Sequence, residues 1–217
     1  MSDPLDRRLG TGSWWQCVIR GSGGEPDRFI TVQSARYPDG SRIELAPEMA
    51  RVQVGDDALC EITFGDARRI VGLQVMSWFA PKAPAMWFAE RRESTATPPA
   101  VSLMAFTGAG QPHHTLVDEA DLRNIPVGTA DQLGALRWYP ATGEIDQIYV
   151  QPSWRRRNIA SALLAAGGSL SVARDWPRFW SDGQRTVMGE QLRNGRSWRH
   201  RGAEVTHIAP PMTPGEA

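Results

Sequence analysis

The chain has 217 residues, 24 basic side chains against 24 acidic ones, and 41% apolar with 22% charged residues, the composition of an ordinary soluble globular protein with enough apolar side chains for a sizeable core and not of a disordered chain. Every basic residue but Lys82 is an arginine, so a Schiff-base lysine, a P-loop lysine or a Ser–Lys dyad would have to use that single residue. The start of the chain lacks an apolar segment, and the longest weakly charged run, 70–89, is interrupted by Pro81, Lys82 and Pro84; neither a secretion signal nor a membrane-spanning helix is expected.

The first half reads as strands joined by tight turns. Trp14–Arg20, Arg28–Ser34 and Ser41–Leu45 are separated by Gly21-Ser-Gly-Gly24 and Tyr37-Pro-Asp-Gly40, compositions typical of turns. Ala50–Val54 alternates apolar and polar residues, Gly55-Asp-Asp57 turns, and Ala58–Phe64 and Arg68–Phe79 continue the meander around Gly65-Asp66. Met86–Glu90 and Val101–Phe106 add two strands around the loop Ser94–Pro99. No helix is expected before residue 107. Cys17 and Cys60, in apolar surroundings without a C-x-x-C, read as reduced buried thiols, and a cytoplasmic location goes with them. Residues 1–106 are therefore expected to form a β-rich domain of unassigned role.

Residues 107–132 change character and read as a linker, with a short helix over Asp118–Asn124 that Pro126 stops. His113-His114 has no accompanying ligand set at metal-binding spacing, and no metal is expected. Gly134–Tyr139, the turn Pro140–Gly143 and Glu144–Val150 read as a hairpin whose second strand Pro152 ends. From Arg155 to Ala173 apolar residues recur at Ile159, Leu163, Ala166, Leu170 and Ala173, predicting a helix with one buried face, with Gly167-Gly168 as a point for a kink. A second helix is expected over Asp182–Asn194, with Ser181 and Gln184 as a capping box and Gly195 after its end. Ala203–Ile208 reads as a last strand before the Pro-rich tail 210–217.

Chemistry concentrates where the hairpin meets the helix. The run Ile148-Tyr-Val-Gln-Pro-Ser-Trp-Arg-Arg-Arg-Asn-Ile-Ala160 places a strand end, three arginines and a helix start in succession. A helix N-terminus presents unpaired N–H groups and the positive end of its dipole, and arginine adds forked donors, so the residues alone predict an anion site, for a diphosphate. Residues 151–217 carry 10 basic and 5 acidic side chains against 2 and 6 over 107–150, which suits a phosphate-bearing ligand better than duplex nucleic acid.

These residues resemble the GNAT family, N-acyltransferases that use acetyl-CoA or another acyl-CoA, whose signature is a strand ending in V-x-P followed by Q/R-x-x-G-x-G/A at the start of a helix. Here Val150-Gln151-Pro152 and Arg155-Arg156-Arg157-Asn158-Ile159-Ala160 stand at those positions. The resemblance implies an α+β chain: the β-rich domain followed by a GNAT-like α/β domain over 133–209, shortened relative to the family because no helices precede its central strands. It implies acyl-CoA as co-substrate and an amine as acceptor. Backbone groups of Ile148, Tyr149 and Val150 would pair with the pantetheine arm, N–H groups from Arg156 through Arg157, Asn158 and Ile159 to Ala160 would cradle the pyrophosphate, and Arg155 or Arg157 would meet phosphates. Counting back by twos from Val150 puts Ile148, Asp146 and Glu144 on one face, so the acidic base that the family carries on this strand is assigned to Glu144 or Asp146. Asn158 takes the motif's glycine position, where Asn is the residue that best tolerates a left-handed backbone, and residues 181–217 hold no tyrosine to act as the family's acid.

Two other readings stand beside this one. A β-rich domain with many of the nine tryptophans suits a non-catalytic assembly module, for instance in a phage particle, with self-association or a partner through that domain and a GNAT-like half kept as scaffold. Trp154–Arg157 and Arg193–Arg201 interleave arginines with aromatics, a pattern for nucleic-acid contact or nucleobase modification.

Overall fold

Alternation of β-branched and aromatic residues with polar ones builds two five-stranded sheets in the computed structural model, which describes residues 13–21, 23–108, 110–128, 130–182, 184–185, 187–194 and 207–208. The first sheet contains β1 (Ser13–Arg20), β2 (Pro26–Ser34), β3 (Arg42–Leu45), β4 (Ala58–Phe64) and β5 (Ile70–Val75), in the order β3-β1-β2-β4-β5. All its pairs are antiparallel except β1 with β3. Helix α1 (Pro47–Val54) packs Ala50 and Val54 onto its outer face, against Trp15, Ile19, Ile30 and Val32.

The second sheet runs β10-β9-β7-β6-β8, from β6 (Trp87–Glu93), β7 (Ala100–Phe106), β8 (Leu116–Val117), β9 (Gln132–Tyr139) and β10 (Glu144–Val150). The short helix α2 (Glu119–Leu122) opens on Asp118, whose carboxylate accepts from the Asp121 N–H. Leu122, Ile125 and Val127 cover Trp87, Ala89 and Phe106 on the outer face of β6 and β7. The two sheets touch where Leu73 N–H of β5 donates to His114 O at 2.7 Å, beside an antiparallel bridge between Gly72 and Thr115.

Helix α3 (Ile159–Ala173) lies between the sheets. Eleven of its 15 residues are buried, more than one apolar stripe needs, because both sides meet a layer. Leu163, Ala166 and Leu170 share one core with Leu59, Ile62 and Leu73 of the first sheet and with Leu103, Leu136 and Trp138 of the second. Thr31 and Ser169 hydroxyls bond at 2.7 Å inside that contact. After α3 come β11 (Gln184–Arg185), paired in parallel with β12 (His207–Ile208), and α4 (Val187–Asn194). None of the helices among the described residues is long and apolar enough to cross a membrane. The chain is thus an α+β protein, β-rich in its N-terminal part.

Four expectations change. Ala50–Val54 is helical, since residues four apart satisfy a period of 3.6 as well as a period of two, and Pro47 at the first turn with Glu48 behind it starts a helix. The helix expected from Arg155 begins at Ile159, because Arg156 and Asn158 take positive φ of 63° and 61°. The helix expected from Asp182 begins at Val187, the Asp182 carboxylate instead accepting from the Gln184 N–H as that residue enters a strand. Strand pairing divides the chain between β5 and β6, not between 106 and 133, for β6 and β7 lie in one sheet with β9 and β10. Gly195, residues 203–206 and the tail 210–217 lie outside the described residues.

Candidate functional site

The expected strand, loop and helix start are brought together as β10, the turn Pro152–Trp154 and the N-terminus of α3. Gln151 N–H donates to Leu133 O across the hairpin at 3.0 Å. By the alternation of an antiparallel pair, Ile148 and Val150 then turn their N–H and C=O groups to the outer edge of β10, which is the edge of its sheet. That edge is paired at its beginning: Ile145 N–H donates to Trp180 O at 2.9 Å and Trp180 N–H to Gly143 O at 3.1 Å. Among the described residues the pairing ends there, so β10 and the segment at Trp180 form a wedge with Glu144 and Ile145 at its vertex. Gly143 permits this closure: its φ is +77°, and a Cβ there would stand 2.2 Å from Arg178 O.

At the other end of the edge the chain enters α3 through left-handed backbone at Arg156 and Asn158. Asn158 O accepts the first helical bond, from Ala162 N–H at 2.9 Å, so the preceding N–H groups of the first turn have no acceptor within the helix. Arg155 Nε donates to Val150 O at 3.2 Å. The Arg157 guanidinium lies over the Trp154 ring, 4.8 Å from its centroid, and Arg156 is exposed.

The two acidic residues do not share a face with Ile148 and Val150. A bulge between Ile145 and Gln147 inserts Asp146 as an extra residue opposite β9, which breaks the count by twos. Ile145, Ile148 and Val150 pack toward α3, whereas Asp146 lies on the opposite face. There its carboxylate accepts from Tyr139 OH at 2.6 Å and from Arg137 Nη1 at 2.5 Å. Arg137 also donates through Nε to Glu93 at 3.1 Å, and Ser102 OH donates to the same carboxylate at 2.7 Å. The Ser102 hydroxyl and then Arg137 hold the Glu93 carboxyl below the usual range, while the bond to Asp146 raises the Tyr139 phenol above its own. Arg137, between two carboxylates, is held still more firmly protonated, Asp146 contributing most.

This ladder of Glu93, Ser102, Arg137, Tyr139 and Asp146 crosses four strands, and sequence reasoning missed all of its members but Asp146. Arg137 and Tyr139, two apart on β9, are legible as facing the Glu144–Asp146 segment once the hairpin is drawn. Glu93 and Ser102 carry no comparable local signal. Glu144, half-buried and opposite Tyr139, makes no side-chain hydrogen bond or ion pair among the described residues. A separate cleft of about 510 Å³, lined by Arg68, Arg92, Glu90 and Arg174 among others, opens near the C-terminal end of α3, away from this site.

The residues present fit an acyl-CoA: an outer strand edge at Ile148 and Val150 that no other strand pairs among the described residues, a wedge with the Glu144 carboxylate at its vertex, and left-handed residues at Arg156 and Asn158 leading into a helix start. No match to the chain is found among curated proteins or among solved structures. Residues 73–181, from β5 through the hairpin, the left-handed loop and α3 to the strand segment at Trp180, match the acetyltransferase (GNAT) family, and the chain belongs to that family.

Proposed function

We propose that this chain transfers an acyl group, acetyl in the simplest case, from acyl-CoA to an amine. The observation that carries the reading is the outer edge at Ile148 and Val150, which no other strand pairs among the described residues, leading into the left-handed loop Arg156–Asn158 at the start of α3. An acyl-CoA bound there supplies a thioester, whose C–S bond is exchanged for a C–N bond to the acceptor amine with release of a thiol. Outward amide groups of Ile148 and Val150 hold the pantetheine arm as an added strand, with Tyr149 between them facing away from the edge. N–H groups from Arg156 to Ala160 meet the pyrophosphate, and Arg155 and Arg157 exchange their present partners for phosphate oxygens.

Of the two acidic candidates, Glu144 is the better base. Its carboxylate stands at the wedge vertex without a hydrogen bond or ion pair among the described residues and can accept the proton that the amine loses. Asp146 is already engaged by Arg137 and Tyr139, so it orients those groups beside the acceptor.

Calorimetric titration with acetyl-CoA, followed by thiol release across a panel of small amines, tests the reading. Micromolar to submillimolar binding, weakened roughly ten-fold or more when Arg155 and Arg157 are both changed to Ala, is the expected result. Glu144→Gln should leave binding intact and lower turnover about a hundred-fold. Absence of binding at millimolar acetyl-CoA would discard the catalytic reading in favour of a scaffold.

A further inference from the structure

The one lysine of the chain lies beside this site. Lys82 stands on the connection from β5 to β6, in the turn Ala80-Pro81-Lys82-Ala83 that Ala83 N–H closes onto Ala80 O at 3.0 Å. Pro81 fixes φ at the second turn position. Phe79, Ala80 and Met86 are buried in the main core, so the turn is held on both sides. Lys82 itself is exposed.

The N–H at the third position of such a turn has no acceptor within the turn. Here it donates to the side chain of Asn158, Lys82 N to Asn158 Oδ1, at 3.3 Å. The connection between the two sheets is thereby stitched to the left-handed residue that opens α3. Glycine at position 158 would adopt the same backbone but would offer no side-chain acceptor. Two of the three neighbouring arginines are engaged with the protein, Arg155 with Val150 O and Arg157 with Trp154, whereas the Lys82 ammonium makes no ion pair among the described residues. Its flexible four-carbon stem and three rotatable donors suit a phosphate of variable placement.

We infer that Lys82 is a further phosphate-binding residue of the acyl-CoA site and that Asn158 is a positioning residue that fastens the Lys82 turn over it. This rests on the acyl-CoA reading above. The phosphate is either the pyrophosphate or the 3′-phosphate of the nucleotide; the chemistry of recognition is the same.

The experiment is calorimetric titration of the full chain with CoA and with 3′-dephospho-CoA, using Lys82→Gln, Lys82→Arg, Asn158→Gly and the double variant Lys82→Gln/Asn158→Gly. For CoA, K82Q should weaken binding roughly five- to ten-fold and K82R should stay within about two-fold of the parent. An effect of K82Q that vanishes with 3′-dephospho-CoA assigns the ammonium to the 3′-phosphate, and one that persists assigns it to the pyrophosphate; either supports the inference. N158G should also weaken CoA binding, and in its background K82Q should cost much less than it does alone, since the turn is then already released. Parent-like CoA affinity of K82Q overturns the role of Lys82. Independent, multiplicative effects of the two substitutions overturn the role of Asn158. Failure of the parent chain itself to bind CoA overturns the acyl-CoA reading, and that result is seen before any variant is made.

Discussion

Burial decides what Cys17 and Cys60 can do. Both are free and buried, in the first sheet on β1 and β4, which flank β2, and desolvation pushes the Cys17 thiol up to about 11 and the Cys60 thiol up to about 12. Thiolate chemistry is therefore closed to them in the folded chain, as their apolar sequence surroundings suggest. In the unfolded chain each ionises near about 8.5. A folded value raised above the unfolded one contributes stability that is complete below about pH 8.5 and is lost as pH climbs toward about 11 and 12, at about 1.4 kcal/mol per pH unit for each thiol. Urea unfolding of the parent and of Cys60→Ser between about pH 7 and 11 checks this. The serine variant should be less stable at neutral pH, and the gap should close as pH rises; a gap independent of pH would show that Cys60 ionises in the folded chain. Native protein should also be inert to a thiol-disulfide reagent that labels both residues in urea. At this same scale the site residues were unequally legible. The helix-opening loop was readable because Asn in a glycine position signals a left-handed residue, and Asn158 has φ 61°. The placing of Asp146 was not, because a bulge depends on how two strands pair and leaves no local mark.

Among the elements, α3 shows how a pair of like residues can carry opposite meanings. Gly167 and Gly168 both weaken a helix by about 1 kcal/mol against Ala, yet the helix runs through them to Ala173. A Cβ on Gly167 would lie 2.6 Å from Leu136 Cδ2 and 3.1 Å from the Phe179 ring, whereas one on Gly168 would meet nothing closer than 3.7 Å. Leu136 is fully buried and has little room to give, so overpacking of about 1–3 kcal/mol outweighs the gain in helix propensity at 167. Gly167→Ala should thus lower stability by about 1 kcal/mol and Gly168→Ala raise it by up to about 1 kcal/mol. Thermal melts of the two variants settle the matter; equal shifts would mean that Leu136 and Phe179 yield freely. The hairpin and α3 were legible from periodicity because each is long enough to repeat its pattern, while α1 was not: eight residues with two buried positions, Ala50 and Val54, fit two periods equally, and only the sheet beneath decides between them.

The whole molecule is organised around one helix with a sheet on each side, and the first sheet is tied firmly to the later elements of the chain. Besides the shared core, Arg42 donates to Asp175 and to Val172 O, each at 2.7 Å, and Arg178 reaches back to Asp39 at 2.6 Å. The buried Glu90 of β6 pairs with Arg174 at the end of α3, Arg174 Nη1 donating at 2.8 Å. None of this long-range pairing was readable from local pattern, which suggested separable halves: each strand was visible, but the partner covering α3 was not. The family match itself begins at residue 73, so β1 to β4 supply a wall for α3 from outside the matched region. Such a helix, apolar on all sides, has no stable place once either sheet is removed. The full chain should therefore unfold in one cooperative step, with a calorimetric enthalpy of roughly 150 kcal/mol near 60 °C equal to its van't Hoff value, not in two steps of about half that each. A fragment beginning at residue 77 should show no cooperative melt and should bind no CoA, because the helix start proposed to meet the phosphates would lack the wall that orients it. Two resolved transitions, or a fragment that melts cooperatively, would instead make the first sheet an accessory and leave the site to the second sheet alone.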